Sequence, residues 1–234
     1  MIGNINSIET LGLKDGPGVR VVIFLQGCPL RCVFCHNPET WEFKKNTSMS
    51  PEDTLNFILR YKNYFGLDGG VTFSGGEPLY QPDYLLETLK LCKKNNINTC
   101  LDTSGIFIKD AEEILKYTDL VILDIKAIDD LNYKKITNGN IEKFLEFLNI
   151  CQKSNKRLWL RQVIIPGIND NIEYIYKLKD FIKNIKNVEN VELLPYHTMA
   201  KEKYKNLNIP YFLENTKGMD KIKCEELEKI LKSN

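Results

Sequence analysis

Cys28, Cys32 and Cys35 fall within eight positions of one loop, "GCPLRCVFCHNPETW" (27–41), with the spacing C-x3-C-x2-C. Thiolates are soft ligands that suit iron–sulfur clusters, zinc or copper. A cubane cluster normally takes four cysteines. Three in one loop can wrap three corners and leave an iron open, as a catalytic zinc keeps one position free. Other chemistries fit less well. Cys32 to His36 matches the haem-attachment pattern C-x-x-C-H, but that chemistry belongs outside the cytosol and no export signal is present. A Cys3His zinc site would need adjacent Cys35 and His36 to reach one metal. A thioredoxin-like pair from Cys32 and Cys35 would leave Cys28 idle and lacks a βαβ setting after the motif. Cys92, Cys100, Cys151 and Cys224 have no ligand-like spacing and read as buried or incidental thiols.

The elements that must position this loop alternate in type. Apolar, β-branched runs predict strands at 19–25, 70–74, 97–103, 120–126, 157–165 and 191–197. Between them, 3.6-residue patterns predict helices at 50–65, 83–96, 109–117, 141–155 and 171–185, with a last helix at about 221–232. Ser50, Pro51 and Asp53 form a helix start. Strands alternating with helices imply an α/β fold with a parallel sheet and helices outside. Strands apolar on both faces agree with that. The expected architecture is a partial (βα)6 TIM-type barrel in one domain, 1–234.

In such folds the ligand site lies at the carboxyl ends of the strands, and the polar residues collect there. The strand ends carry the cysteine loop, then Ser74-Gly75-Gly76-Glu77, Asp102-Thr103-Ser104, Asp124 with Lys126, Arg161, and His197. In an extended strand Ile122, Asp124 and Lys126 share a face. Two charges closing an apolar strand are costly to bury unless paired or bound.

Composition narrows the class. The 234 residues are 43% hydrophobic and 27% charged with a formal net charge of +1. Nothing pulls the chain toward nucleic acid or anionic membrane. No run is long enough to span a bilayer, and "MIGNINSIETLG" lacks signal-peptide character. The expectation is a cytoplasmic protein with reduced thiols, and a monomer, since no coiled coil is evident.

The cysteine motif, with Phe34 just before its last cysteine, resembles the radical S-adenosylmethionine (SAM) enzymes. The motifs "DGPGVR" (15–20), "SGGEP" (74–78), "CLDTSG" (100–105), "LDIK" (123–126), "VIIPGIND" (163–170) and "LLPYH" (193–197) resemble, in that order, the activating enzymes of glycyl-radical enzymes. The resemblance covers nearly the whole chain. It implies a [4Fe–4S] cluster on Cys28, Cys32 and Cys35, with SAM on the open iron. Reductive cleavage of SAM would then let a radical take hydrogen from a partner glycine. It implies SAM contacts from Phe34, Ser74, Gly75, Gly76, Glu77, Lys126, Arg161 and His197. Asp102, Thr103 and Asp124 match a monovalent-cation site beside SAM. Asp15, His36 and Asn37 match positions that receive the partner's glycine loop, although 15–20 begins at the strand end opposite the cluster and Gly16-Pro17-Gly18 also reads as a plain turn. The implied partners are a glycyl-radical enzyme, pyruvate formate-lyase first, and a flavodoxin or ferredoxin as electron donor. An activase of another glycyl-radical enzyme, a small-molecule radical SAM enzyme, and an iron–sulfur carrier or metal-binding interaction protein are the alternatives. A carrier needs no SAM pocket.

Overall fold

In the computed structural model, which describes residues 1–233, eight strands form a single sheet. They are β1 (Gly3–Gly12), β2 (Arg20–Leu25), β3 (Thr47–Met49), β4 (Gly70–Gly75), β5 (Asn98–Thr103), β6 (Leu120–Asp124), β7 (Arg157–Ile164) and β8 (Val188–Pro195). Their order is β3-β1-β2-β4-β5-β6-β7-β8. From β2 through β8 every neighbour is parallel. The helices are α1 (Pro51–Leu59), α2 (Pro82–Lys94), α3 (Ala111–Lys116), α4 (Asp130–Thr137), α5 (Ile141–Lys153), α6 (Ile172–Ile182), α7 (Lys201–Asn206) and α8 (Lys221–Lys232). The sheet is open, with β3 and β8 at its edges. The six expected strands are the six parallel ones, as a partial TIM-type barrel requires.

Two strands escaped the sequence pattern. β1 pairs antiparallel to β2 and carries register shifts after Ile5 and after Glu9. Each shift breaks the two-residue alternation by which a half-buried strand is recognised. β3 is three partly to fully exposed residues on the outer edge of β1. The short helices α4 and α7 were also missed. α4 is eight residues long, capped by the Asp129 side chain at Asn132 N (2.9 Å) and closed by Asn138 at φ 58°. Both caps are local polar signals with little apolar periodicity between them.

The parallel strands sort their side chains by parity. Val71, Phe73, Leu101, Val121, Leu123, Leu158 and Leu160 join the large core shared with the helices. The alternate positions Cys100, Leu120 and Ile122 form a separate small cluster with Trp159. Ser74, Asp102, Asp124 and Arg161 continue that inner parity toward the carboxyl ends. The barrel interior is thus apolar below and polar above, as the strand-end reading expects. Lys126 and His197 lie just beyond β6 and β8 rather than within them; Ile125 N still donates to Arg161 O at 2.8 Å.

The segment before β2 closes the other end. Arg20 is fully buried. Its guanidinium donates to Thr72 Oγ1 (2.7 Å), Val71 O (2.9 Å), Pro17 O (2.9 Å) and Asn98 Oδ1 (2.9 Å). Gly18, at φ 68°, abuts the Gly69 backbone so closely that a Cβ would lie 2.4 Å from Gly69 N. Only glycine fits that turn. The turn tucks Asp15 inward, and Thr72 Oγ1 donates to its carbonyl at 2.6 Å.

Candidate active site

The cysteine loop leaves β2 and is pinned from two sides. Gln26 Nε2 donates to Glu39 O (3.0 Å) and Glu42 O (2.7 Å). The backbone N–H groups of Arg31 and Val33 donate to Thr137 O (2.8 Å) and Ile136 O (2.9 Å) at the end of α4. A helix leaves its last carbonyls without intrahelical partners, and here the loop supplies them. Arg31 Nη1 braces the loop internally through Cys28 O (2.6 Å) and Leu30 O (2.8 Å). Held this way, Cys28, Leu30, Cys32 and Phe34 face a cavity of about 290 Å³, while Arg31 and Val33 face away from it into a separate groove.

That cavity gathers most of the expected residues. Cys28, Cys32, Phe34, Cys35, His36 and Asn37 come from the loop. Ser74, Gly75, Gly76, Asp102, Thr103, Asp124, Lys126 and Arg161 come from the strand ends. Asp15 also lines it, reaching the site through the barrel from the opposite strand end. The turn at Gly16–Gly18 and the placement of Asp15 at the cavity are therefore one feature.

The inner wall is a charge network. Arg161 Nη2 donates to Asp102 Oδ1 at 2.5 Å, and its Nε lies 3.6 Å from Asp124 Oδ1. Lys126 Nζ donates to Asp124 Oδ2 at 2.7 Å and sits 5.3 Å from the Phe34 ring centroid. Ser74 Oγ donates to Asp102 Oδ2 at 2.6 Å. Burial pushes the Asp124 carboxyl up, but Lys126 and Arg161 together hold it below its usual range. Burial acts against the charge of Lys126 too, and Asp124 reverses it. Asp15 is raised to about 6, chiefly by burial and then by Asp102, against the pull of Arg161.

Two expected SAM contacts sit outside the cavity lining. Glu77 is fully buried. Its carboxylate accepts from four donors: Thr103 Oγ1 (2.5 Å), Ser104 N (3.0 Å), Ser104 Oγ (2.5 Å) and Leu79 N (3.1 Å). Burial raises its pKa and these bonds oppose the rise. It clasps the end of β4 to the end of β5, leaving Ser74, Gly75 and Gly76 to face the cavity. The two glycines are themselves required by crowding against β2 and the loop that leaves it: a Cβ on Gly75 would lie 2.3 Å from Leu25 N, and one on Gly76 would lie 2.4 Å from Gly27 O. His197 reaches the site through His36, their ring centroids 3.8 Å apart. Burial, His197 and Lys203 lower His36 to about 4. Burial, Lys14 and Lys221 also lower His197, so both imidazoles are neutral near pH 7. Of the residues matched to a monovalent-cation site, Asp102 and Asp124 are paired with Arg161, and Thr103 with Glu77.

Two residues at the site were not anticipated. Trp41 lines the cavity together with Cys35, and its carbonyl accepts from Cys28 N at 3.4 Å. Tyr133 of α4 is fully buried, and its hydroxyl has no partner among the described residues. A tryptophan six residues past the last cysteine and a tyrosine in a polar stretch carry no spacing signal that would single them out.

The donor set fits an iron–sulfur cluster. All three loop cysteines are free thiols, and burial pushes each of them up, Cys32 to about 12. Ligation by soft iron displaces those protons. The thiols line one cavity, yet among the described residues no three His, Cys, Asp or Glu side chains close on a single ion. A cluster holds its cysteines on separate irons; a lone zinc does not. Facing the thiols, Lys126 and Arg161 offer donors for a carboxylate, and Asp102 and Asp124 offer acceptors for an amine.

Comparison with known proteins identifies the family. The model of the radical SAM superfamily matches residues 22–179. A pyruvate formate-lyase-activating enzyme of Clostridium pasteurianum is 51% identical over 233 residues, covering 99% of this chain and 98% of that protein. One from Staphylococcus epidermidis is 41% identical, covering 99% and 96%. Among solved structures, a radical SAM methyltransferase from Sphaerobacter thermophilus shares the fold at TM-score 0.66 and 14% identity, covering 91% of this chain and 63% of that one. The chain belongs to the radical SAM superfamily and, within it, to the family of pyruvate formate-lyase-activating enzymes.

Proposed function

We propose that this chain activates a pyruvate formate-lyase by placing a radical on a glycine of that enzyme. The observation that carries the reading is one cavity lined on one side by Cys28, Cys32 and Cys35 and on the other by Asp102, Asp124, Lys126 and Arg161. When bound, a [4Fe–4S] cluster and SAM supply reductive cleavage of SAM and a carbon radical that takes hydrogen from the partner glycine.

The chain's own residues bind, orient and shield. Cys28, Cys32 and Cys35 hold the cluster. Lys126 and Arg161 receive the SAM carboxylate, with Asp124 fixing Lys126 at 2.7 Å. Phe34 offers its ring to the adenine. Ser74, Gly75 and Gly76 form the wall along the methionine, and Glu77 holds that wall in place. A monovalent cation beside Asp102, Thr103 and Asp124 would require Arg161 to yield part of its pairing. Asp15, His36 and Asn37 face the partner's glycine loop, and His197 packs on the His36 ring at 3.8 Å on the way to the SAM carboxylate.

The chain acts as a single-domain monomer in the cytoplasm, with a flavodoxin or ferredoxin as its one-electron donor. Support for a reducing compartment comes from its free thiols; among the described residues, no helix is long and apolar enough to cross a membrane.

The test is anaerobic. With the cluster reconstituted and reduced, SAM should yield 5′-deoxyadenosine. Adding pyruvate formate-lyase should give the glycyl-radical EPR doublet. No 5′-deoxyadenosine would defeat the enzyme reading. A doublet only with another glycyl-radical enzyme would reassign the partner.

A further inference from the structure

Behind the cysteine loop lies a second concavity of about 720 Å³ that the chemistry above does not use. Its walls come from the loop, from the end of α4 and from the segment after α7. Trp41, Val33 and Phe212 supply apolar surface, and Phe212 is 79% exposed. Arg31, Lys134 and Lys135 supply positive charge. The two carboxylates on this wall are already engaged, Glu39 with Lys203 at 2.6 Å and Glu42 with Lys44 at 2.8 Å. An exposed aromatic in an apolar patch with an uncompensated basic rim has the character of a protein-docking surface.

Its position says what docks. Trp41 lines both this groove and the cavity of the thiols, so the indole ring is the wall between them. On the groove side Arg31 Cζ lies 5.0 Å from its centroid. On the cavity side it shares one lining with the Cys35 thiol. A partner whose glycine must give up a hydrogen has to bring that atom into the cavity. A partner that gives up only an electron need not enter, because an electron crosses a single side-chain layer.

We propose that this groove docks an acidic one-electron carrier protein with an exposed redox group, and that its electron passes through Trp41 to the cluster at Cys35. The inference rests on the cluster-based activity proposed above. The step is simple in its balance: the carrier loses one electron, the cluster gains one, and no bond or proton moves. Opposite charges steer the encounter and set its orientation.

The test compares the unsubstituted holoprotein with Lys134→Glu/Lys135→Glu and with Phe212→Asp, all with the cluster loaded. Both sites lie on the surface outside the SAM cavity. Cluster reduction is followed by its visible absorbance, first with a reduced acidic flavodoxin and then with dithionite, a small reductant that needs no docking. Reduction by the flavodoxin should slow about tenfold in the double variant at low salt, with the gap narrowing as salt rises. Phe212→Asp should slow it at every salt concentration. Dithionite rates should not change. Equal flavodoxin rates in all three proteins would overturn the proposal, as would equal loss with dithionite. If glycyl-radical formation driven by dithionite fell instead, the groove would belong to the glycyl-radical enzyme. Failure of the unsubstituted protein to cleave SAM would sink the activity, while the cluster-reduction comparison would still decide the groove.

Discussion

Arg161 of β7 donates to Asp102 of β5, across the intervening strand β6, at 2.5 Å. The reach is possible because both side chains point into the barrel, where alternate positions of three strands share one space. The same guanidinium lies 3.6 Å from Asp124 of β6, so one cation ties three strand ends at the floor of the cavity.

Arg161→Met therefore leaves the largely buried Asp102 without its counter-charge and the partly buried Asp124 with Lys126 alone. Breaking such a pair costs about 3–5 kcal/mol. The expected result is a large fall in thermal midpoint together with weakened SAM binding by calorimetry. Unchanged stability would mean that Lys126 alone neutralises the wall.

Glu77 gives a prediction that separates a structural clasp from a ligand contact. All four of its observed partners belong to the protein. Glu77→Gln replaces an acceptor oxygen with a donor facing other donors, leaving buried groups unsatisfied at about 1–3 kcal/mol. Chemical denaturation should show that loss, while the affinity of the surviving folded protein for SAM changes little. A stable variant with tenfold weaker SAM binding would place the carboxylate on SAM instead.

Asp15 predicts a pH dependence. Its carboxyl is held above its ordinary value of 3.8, at about 6, by burial and by Asp102. A raised acid favours the proton in the folded state, so folding loses stability as pH rises from about 4 to about 6 and stays lowered above that. Asp15→Asn removes the penalty. Discounted for the partial exposure of Asp15, the gain is about 1–2 kcal/mol near pH 8 and close to nothing near pH 4. Urea unfolding at the two pH values measures it. An equal effect at both would show that Asp15 ionises freely.

What the sequence made legible was whatever repeats. The parallel strands announce themselves by apolar runs, and the site by polar residues stationed where those runs stop. Both depend on one physical fact, that a strand covered on two faces can expose polar groups only at its ends. Irregular elements were opaque. The bulges at Ile5–Ser7 and Glu9–Gly12 hide β1 from period two. The route of Asp15 through the barrel depends on Gly18 packing against Gly69, a contact between residues fifty-one positions apart. The inward closure of Glu77 onto Ser104 likewise depends on how two strand ends meet, which no local pattern encodes.

The seven cysteines should divide cleanly into two sets. Cys28, Cys32 and Cys35 face one cavity, and Cys92, Cys100, Cys151 and Cys224 do not line it; of these, Cys92 and Cys151 are fully buried in α2 and α5 against the large core. Replacing any one of the first three by Ala removes a corner ligand. Iron and sulfide content should drop, and SAM cleavage should vanish even with dithionite as reductant. Cys92→Ala and Cys151→Ala remove one buried sulfur each, a small cavity costing about 1–2 kcal/mol, and should keep a full cluster with near-normal yields of 5′-deoxyadenosine. Loss of iron from a folded Cys92 or Cys151 variant would mean that a cluster draws on a ligand outside the loop, against the reading that Cys28, Cys32 and Cys35 alone would hold it.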